Sequence, residues 1–251
     1  MVLMNLVFLA ADTARSRAYA QAMLQSGFLP GHALLLRDPA GAAGPGTIPA
    51  GARADGGEAE GLRFAPEEPV AETLARAGVE ISEVPSTDVN GPTVMEAVAA
   101  RPEPYVLFSG PGGVILRAGI LGLGKRFLHV HGGWLPDYKG STTNYYSLLE
   151  EDMCGASAIL MTEAVDCGPV LARRRFPRPE RPEALDYVYD SLFRARVLVD
   201  VLERLAEEGN LDFRVADNAG GRVFYIMHPV LRHVAILGGG TGRRAEGPEC
   251  A

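Results

Sequence analysis

The 251-residue sequence predicts an α/β fold of doubly wound type on a mostly parallel sheet. Two observations predict it. Short apolar runs that read as buried strands alternate with helical patterns through the first half of the chain, leaving room for a crossover helix between successive parallel strands. At the end of one such run stand His129 and His131, followed by Gly132, Gly133 and the Leu135-Pro136 break. The strand stops there, and doubly wound sheets bind ligands at the carboxyl ends of their strands.

The elements follow in order. Residues 5–11, NLVFLAA, form the first strand and run into Asp12 and Thr13, capping residues for a helix over 13–26 that Gly27 ends. Residues 32–37 give a second strand, 71–78 a weak helix and 79–84 a third strand. A helix over 92–100 precedes the strand 105–108, and a short helix from about Val114 leads into the strand 126–131. Ser141 caps a helix opening over 141–146. Two strands, 156–162 and 169–176, flank the connection EAVDCG. Residues 183–208 form a long amphipathic helix whose Leu185, Val188, Leu192, Val199 and Leu202 lie near one core-facing stripe. The Gly/Ala/Pro-rich stretch 39–61 reads as a mobile loop and 238–251 as a frayed tail. The organisation predicted is one domain over 1–208 and a short C-terminal extension over 209–251.

Composition narrows the classes. A hydrophobic fraction of 47% with 22% charged residues is that of a globular protein. No apolar run approaches the roughly 20 residues that span a bilayer. The first arginines follow the N-terminal apolar stretch, the wrong order for a secretory signal, so a cytoplasmic protein without membrane contact is expected. Cys154, Cys167 and Cys250 are too few and too scattered for a disulfide framework or a zinc knuckle. A net charge of -7 argues against nucleic-acid binding, which needs clustered Lys and Arg. The run Arg173 to Arg175 is too short to supply it.

Strand alternation puts His129 and His131 on one face. Asp166 joins them if the strand before it lies beside the histidine strand. Two imidazoles and a carboxylate suit either proton transfer or a divalent metal, and spacing leaves both open. The loop SGPGG over 109–113 is weak as a free-standing phosphate motif. Trp134 is expected to pack beneath its loop, and His228 and His233, beside Pro229, read as structural.

The stretch HVHGGWLPDYKGS over 129–141, followed by GASAILMTEAVDCGPVL over 155–171, resembles the folate-dependent formyltransferase family. That group includes the methionyl-tRNA, glycinamide ribonucleotide and sugar-amine enzymes. Its pattern is Asn-x-His, a Leu-Pro-x-Tyr-Arg-Gly-like turn, and a Gly-started strand ending in Asp-x-Gly. His131, Leu135, Pro136, Tyr138, Lys139, Gly140, Gly155, Asp166 and Gly168 take those places. The family's asparagine is His129 here. The resemblance covers roughly residues 105 to 176, and it implies a mostly parallel Rossmann-like sheet.

The resemblance also implies roles. His131 would shuttle the proton of the attacking amine, Asp166 would hold and polarise the imidazole or its water, and His129 would stand where the family stabilises an oxyanion. Ser109, Gly110, Gly112, Gly113, Ile115 and Leu116 would form one side of a pterin pocket, with Glu163 and Val165 on the other. Lys139, Asn144 and Tyr145 would face the substrate. The implied co-substrate is formyl-tetrahydrofolate, with no metal. The acceptor is a primary amine on a small metabolite, the preferred class being a commonly nucleotide-linked amino sugar, because the region after residue 210 is too short for the barrel of the tRNA enzymes. A homodimer is compatible with the sequence. Two other readings stay open: a metal-dependent hydrolase using His129, His131 and Asp166, and a non-catalytic folate-binding relic.

Overall fold

The computed structural model describes residues 1–39 and 56–238. The elements run β1 (Val2–Ala11), α1 (Ala14–Ser26), β2 (Phe28–Leu36), β3 (Gly57–Ala59), β4 (Leu62–Phe64), α2 (Val70–Arg76), β5 (Ile81–Val84), α3 (Pro92–Ala99), β6 (Tyr105–Ser109), α4 (Ala118–Leu121), β7 (Arg126–His131), β8 (Tyr138–Gly140), α5 (Thr143–Glu151), β9 (Met153–Leu160), β10 (Val170–Pro177), α6 (Asp190–Glu208), β11 (Arg222–Phe224) and α7 (Pro229–Leu237).

A seven-stranded sheet in the order β10-β9-β7-β6-β1-β2-β5 forms the centre. β5, β2, β1, β6 and β7 pair in parallel, whereas β9 pairs antiparallel with both β7 and β10 and so is the one reversed strand. Apolar side chains cover both faces, as a sheet buried between two helical layers requires. On one face Leu6, Phe8, Leu128 and Val130 pack against α1, α2 and α6. On the other, Val7, Leu9, Val106 and Phe127 pack against Val94 and Val98 of α3 and Ile120 of α4. This is the doubly wound α/β architecture that the alternation predicts.

Local chemistry explains the element ends. The Thr13 side chain caps α1 by accepting from the Ser16 amide, and Gly27 closes it at φ 78°, left-handed geometry that glycine adopts without strain. The stripe Leu185, Val188, Leu192, Val199 and Leu202 is fully buried, as its spacing predicts. The helix it belongs to opens irregularly, with a 3₁₀ turn over Pro182–Ala184 and a wide π turn over Leu185–Tyr189 before α6 proper. A π turn re-aims side chains, and this one turns Asp186 and Asp190 toward the strand ends.

Three expectations need correction. The helix expected from Val114 starts at Ala118, because the 110–117 loop is instead held to Asn90, which donates to the Ile115 carbonyl and accepts from the Arg117 amide. The cap of α5 is Thr142, at φ 51°, and not Ser141, whose amide is drawn off to the Phe224 carbonyl. Residues 57–61, assigned to a mobile loop, belong to the β3–β4 hairpin, whose Gly57 leaves room for Val188 and Leu192. The rest of that loop from residue 40, and the tail from 239 with Cys250, lie outside the described residues. The apolar run around Pro229 is the helix α7, with the His228 side chain accepting from the Val230 amide at its start.

After α6 the chain returns to the carboxyl edge of the sheet. Leu211, Phe213 and Met227 join the main core, and β11 pairs in parallel with β8, which directly follows the histidine strand. No described helix is long and apolar enough to cross a membrane.

Candidate active site

β7 delivers His129 and His131 to one face, opposite Leu128 and Val130, as alternation requires. β9 lies beside it in the register His129 to Ile159 and His131 to Ser157. The connection after β9 leaves next to Phe127, where the Met161 amide donates to the Phe127 carbonyl, and folds back over the histidine face. Asp166, at φ 54°, turns its carboxylate to His131 there, with Oδ1 at 3.4 Å from Nδ1. Its second oxygen accepts from the Gly140 amide at 2.8 Å. Asn218 pins the turn from behind by donating to the carbonyls of Asp166 and Gly168 at 2.8 and 2.7 Å.

His131 is 5% exposed, and both its nitrogens are engaged. Nε2 lies 2.7 Å from the Tyr138 carbonyl. A carbonyl can only accept, so Nε2 carries a hydrogen and Nδ1 is left for Asp166. Burial pushes the His131 pKa down, the Asp166 carboxylate pulls against that, and the Arg194 charge adds to the lowering. The two glycines after it make the packing possible. A Cβ on Gly133 would sit 2.6 Å from the Tyr138 carbonyl oxygen and 2.7 Å from His131 Nε2.

His129 is only partly buried and lines the cleft wall. Its Nδ1 faces the Phe108 carbonyl at 3.5 Å. Burial, and then the charges of Arg15, Arg194 and His131, hold its pKa well below the usual imidazole value, so the ring is neutral at pH 7.

The cleft between these strand ends has a volume of about 410 Å³. Arg15 and Arg194 enter it from α1 and α6. Arg15 donates through Nε to Ser109 Oγ at 3.0 Å and through Nη2 to the Gly110 carbonyl at 2.7 Å. Arg194 pairs with Asp190 at 2.7 Å and donates to the Val130 carbonyl at 2.9 Å. A smaller apolar pocket opens off the cleft, walled by Phe108, Val114, Leu116, Ile159 and Met161 and shared by Ile115, His129, Val165 and Asp166.

The positions expected from sequence divide clearly. His129, His131 and Asp166 converge, and Gly112, Gly113, Ile115, Leu116 and Val165 line the cleft or its apolar pocket. Ser109 and Gly110 lie beneath and anchor Arg15 instead of lining it. Glu163 is exposed outside both linings. Asn144 and Tyr145 line the cleft, with Asn144 tied to Asp190 at 2.9 Å and to the Gly155 amide at 2.7 Å. Lys139 is the correction: it is 4% exposed, points away from the cleft, and its Nζ donates to the Asn218 carbonyl at 2.9 Å. The guanidinium groups of Arg173 and Arg175 lie over the Trp134 ring, 4.1 and 4.8 Å from its centre.

Sequence reading missed Arg15, Asp186, Asp190, Arg194 and Asn218. Arg15 sits in the first turn after β1, the crevice position of a doubly wound sheet, which is a usable signal. Asp190 and Arg194, four apart on α6, read as an ordinary surface helix pair. Among the described residues, no group of three or more His, Cys, Asp or Glu is placed to hold a metal ion.

No protein-family model matches the chain. A methionyl-tRNA formyltransferase from Chloroflexus aurantiacus is 33% identical over 136 residues, which is 53% of this chain and 43% of that protein, so the match spans less than half the relative's length. Among solved structures, a sugar N-formyltransferase from a Shewanella species superposes with a TM-score of 0.55 at 13% identity, covering 92% of this chain and 86% of that one. HypX from Aquifex aeolicus in complex with tetrahydrofolic acid superposes with a TM-score of 0.53 at 16% identity, covering 91% of this chain and 30% of that one. At those identities the structures speak for the fold alone. The chain therefore has the fold of these proteins, and 136 of its residues are similar in sequence to a methionyl-tRNA formyltransferase.

Proposed function

We propose that this chain is a formyltransferase that moves a one-carbon unit from formyl-tetrahydrofolate to a primary amine of a small metabolite. The observation that carries the reading is the buried contact of His131 with Asp166, at the floor of a cleft and in the motif order of the family. The chain's residues fit a folate. The apolar pocket beside His129 offers Val114, Leu116, Ile159 and Met161 to the faces of a flat heteroaromatic ring. Gly112, which lines the cleft, has open space beside it. HypX, one of the structures that superpose on this chain, is described in complex with tetrahydrofolic acid.

For the acceptor we assign an amino sugar, commonly nucleotide-linked. Asp186, Asp190, Asn144 and Thr142 line the far side of the cleft, a set of side chains suited to sugar hydroxyls and an amine. The acidic chain disfavours a tRNA acceptor. Calorimetric titration of 5-formyl-tetrahydrofolate, a stable analogue, into the metal-free protein tests the first half of the reading. Saturable one-site binding is expected, and no binding at millimolar ligand refutes it. Release of tetrahydrofolate on addition of amino-sugar nucleotides tests the second half.

A further inference from the structure

The two histidines present opposite faces of imidazole chemistry. His131 has no ring nitrogen free for the cleft: Nε2–H is committed to the Tyr138 carbonyl and Nδ1 to Asp166. His129 is arranged the other way round. The acceptor beside its Nδ1 is the Phe108 carbonyl, which selects the Nδ1–H tautomer. Its Nε2 has no protein partner, yet it is not among the buried unsatisfied atoms of the described residues, so solvent in the cleft reaches it. In that tautomer Nε2 is an acceptor and has no hydrogen to offer an oxyanion.

From this geometry we infer that His129, and not His131, takes the proton of the attacking amine, so that substitution of the family's asparagine relocates the base. The inference rests on the formyl-transfer reading. The amine lone pair forms the new C–N bond to the formyl carbon while the carbonyl π pair moves onto oxygen. His129 Nε2 then accepts the proton that the nitrogen sheds. As the oxyanion pair returns, the bond from carbon to the folate nitrogen breaks, and the His129 imidazolium returns that proton to the departing nitrogen.

Charge around His129 supports the assignment. The groups facing it are Arg15 from α1, Arg194 with its partner Asp190 from α6, His131 on its own strand and Asp166 from the connection after β9. Burial, and then the two guanidiniums, keep the resting ring neutral. Arg15 also supplies what the missing asparagine would have donated. Its Nε and Nη2 are anchored below the cleft, and Nη1 has no bond within the described residues, which leaves a cationic N–H group for the developing oxyanion.

The deciding experiment is ¹⁵N imidazole NMR on the full chain, with His129→Asn and His131→Asn spectra for assignment. At pH 7 the expected result is a neutral His129 protonated on Nδ1 and a His131 protonated on Nε2. A His129 protonated on Nε2, or doubly protonated, overturns the inference, because the ring is then a donor. In turnover with an amino-sugar nucleotide, His129→Asn is expected to lose about 100-fold to 10,000-fold, the usual contribution of a general base. It should still bind 5-formyl-tetrahydrofolate, and added imidazole should restore part of the rate of His129→Gly. Transfer by His129→Asn within threefold of the parent overturns the inference. Failure of the parent to bind the folate analogue instead defeats the formyl-transfer reading, whatever tautomer the spectrum gives.

Discussion

Adding one methyl group at position 133 tests the architecture that holds His131 in place. Gly133 does not adopt a positive φ, so alanine meets no backbone penalty there and its whole cost is steric. The new Cβ would lie 2.6 Å from the Tyr138 carbonyl oxygen, 2.7 Å from His131 Nε2 and 2.9 Å from Thr143 Oγ1. The first two atoms are the two ends of one buried hydrogen bond. The third belongs to a hydroxyl that donates to the Gly132 carbonyl. None is the end of a flexible chain that could swing aside. Overpacking of this kind costs about 1–3 kcal/mol, and separating the His131 to Tyr138 pair leaves a buried donor and acceptor at about 1–3 kcal/mol more.

The expected loss for Gly133→Ala is therefore about 2–6 kcal/mol, and even at ~3 kcal/mol the Tm of a chain this size falls by roughly 6–12 °C. Gly112→Ala is the control. Its Cβ would meet nothing within 4 Å and its φ is not positive, so stability should stay within about 0.5 kcal/mol or rise slightly through the unfolded chain. Urea unfolding followed by the fluorescence of Trp134, the single tryptophan and the next residue in the chain, reads both variants. A Gly133→Ala protein within 0.5 kcal/mol of the parent, at unchanged m, would refute the claim that His131 is clamped by the 133–138 loop.

Further predictions follow from the same contacts. Lys139→Met removes a buried ammonium from the Asn218 carbonyl; it should lower the Tm while leaving 5-formyl-tetrahydrofolate affinity within twofold, whereas a Lys139 that touches ligand would lose affinity without loss of Tm. Asn218→Ala frees the Asp166 and Gly168 carbonyls, so kcat should fall at least tenfold with KM for the folate little changed; an unchanged kcat would show that Asp166 holds its turn alone. Stability should decline as pH drops below about 6.5. His32, His129 and His131 all have folded pKa values lowered chiefly by burial, so unfolding takes up protons in that window. His129→Asn should flatten the Tm-against-pH curve between pH 5 and 6.5, and an identical slope in parent and variant would contradict the lowering at His129.

The parts of this site that sequence reveals are those governed by a local period. Alternation puts His129 and His131 on one face of β7, and the Gly-Gly and Leu-Pro steps stop the strand at the sheet's carboxyl edge. Asp166 is legible as a member of the trio, but its route is not. It reaches His131 because β9 runs antiparallel to β7, so the connection must double back over the histidine face, and strand direction leaves no trace in a short apolar run. Lys139 fails for a different reason. Its identity suggests an anion partner, whereas its burial depends on the extension that returns from residue 209 and brings the Asn218 carbonyl to Nζ. Of the charges that set the chemistry, Arg15 is marked by its place in the first turn after β1, whereas the Asp190–Arg194 pair sits on a helix where i,i+4 spacing already accounts for its presence.

The exchange of asparagine for His129 gains its meaning from those charges. An amide carries its donor in any field, so an asparagine at this position would serve the oxyanion whatever stood nearby. An imidazole offers a donor or an acceptor according to which nitrogen its neighbours protonate, and here the Phe108 carbonyl takes the hydrogen on Nδ1 while Arg15 and Arg194 oppose a second one. The neighbours therefore set the function of the residue. Arg15→Gln makes this testable: the variant should raise the pKa of His129 toward its ordinary value, because a facing positive charge is gone, and should slow transfer, because the oxyanion loses its cationic donor. An NMR titration showing His129 unmoved in Arg15→Gln would mean that burial alone keeps the ring neutral, and the guanidinium would then have no part in preparing the base.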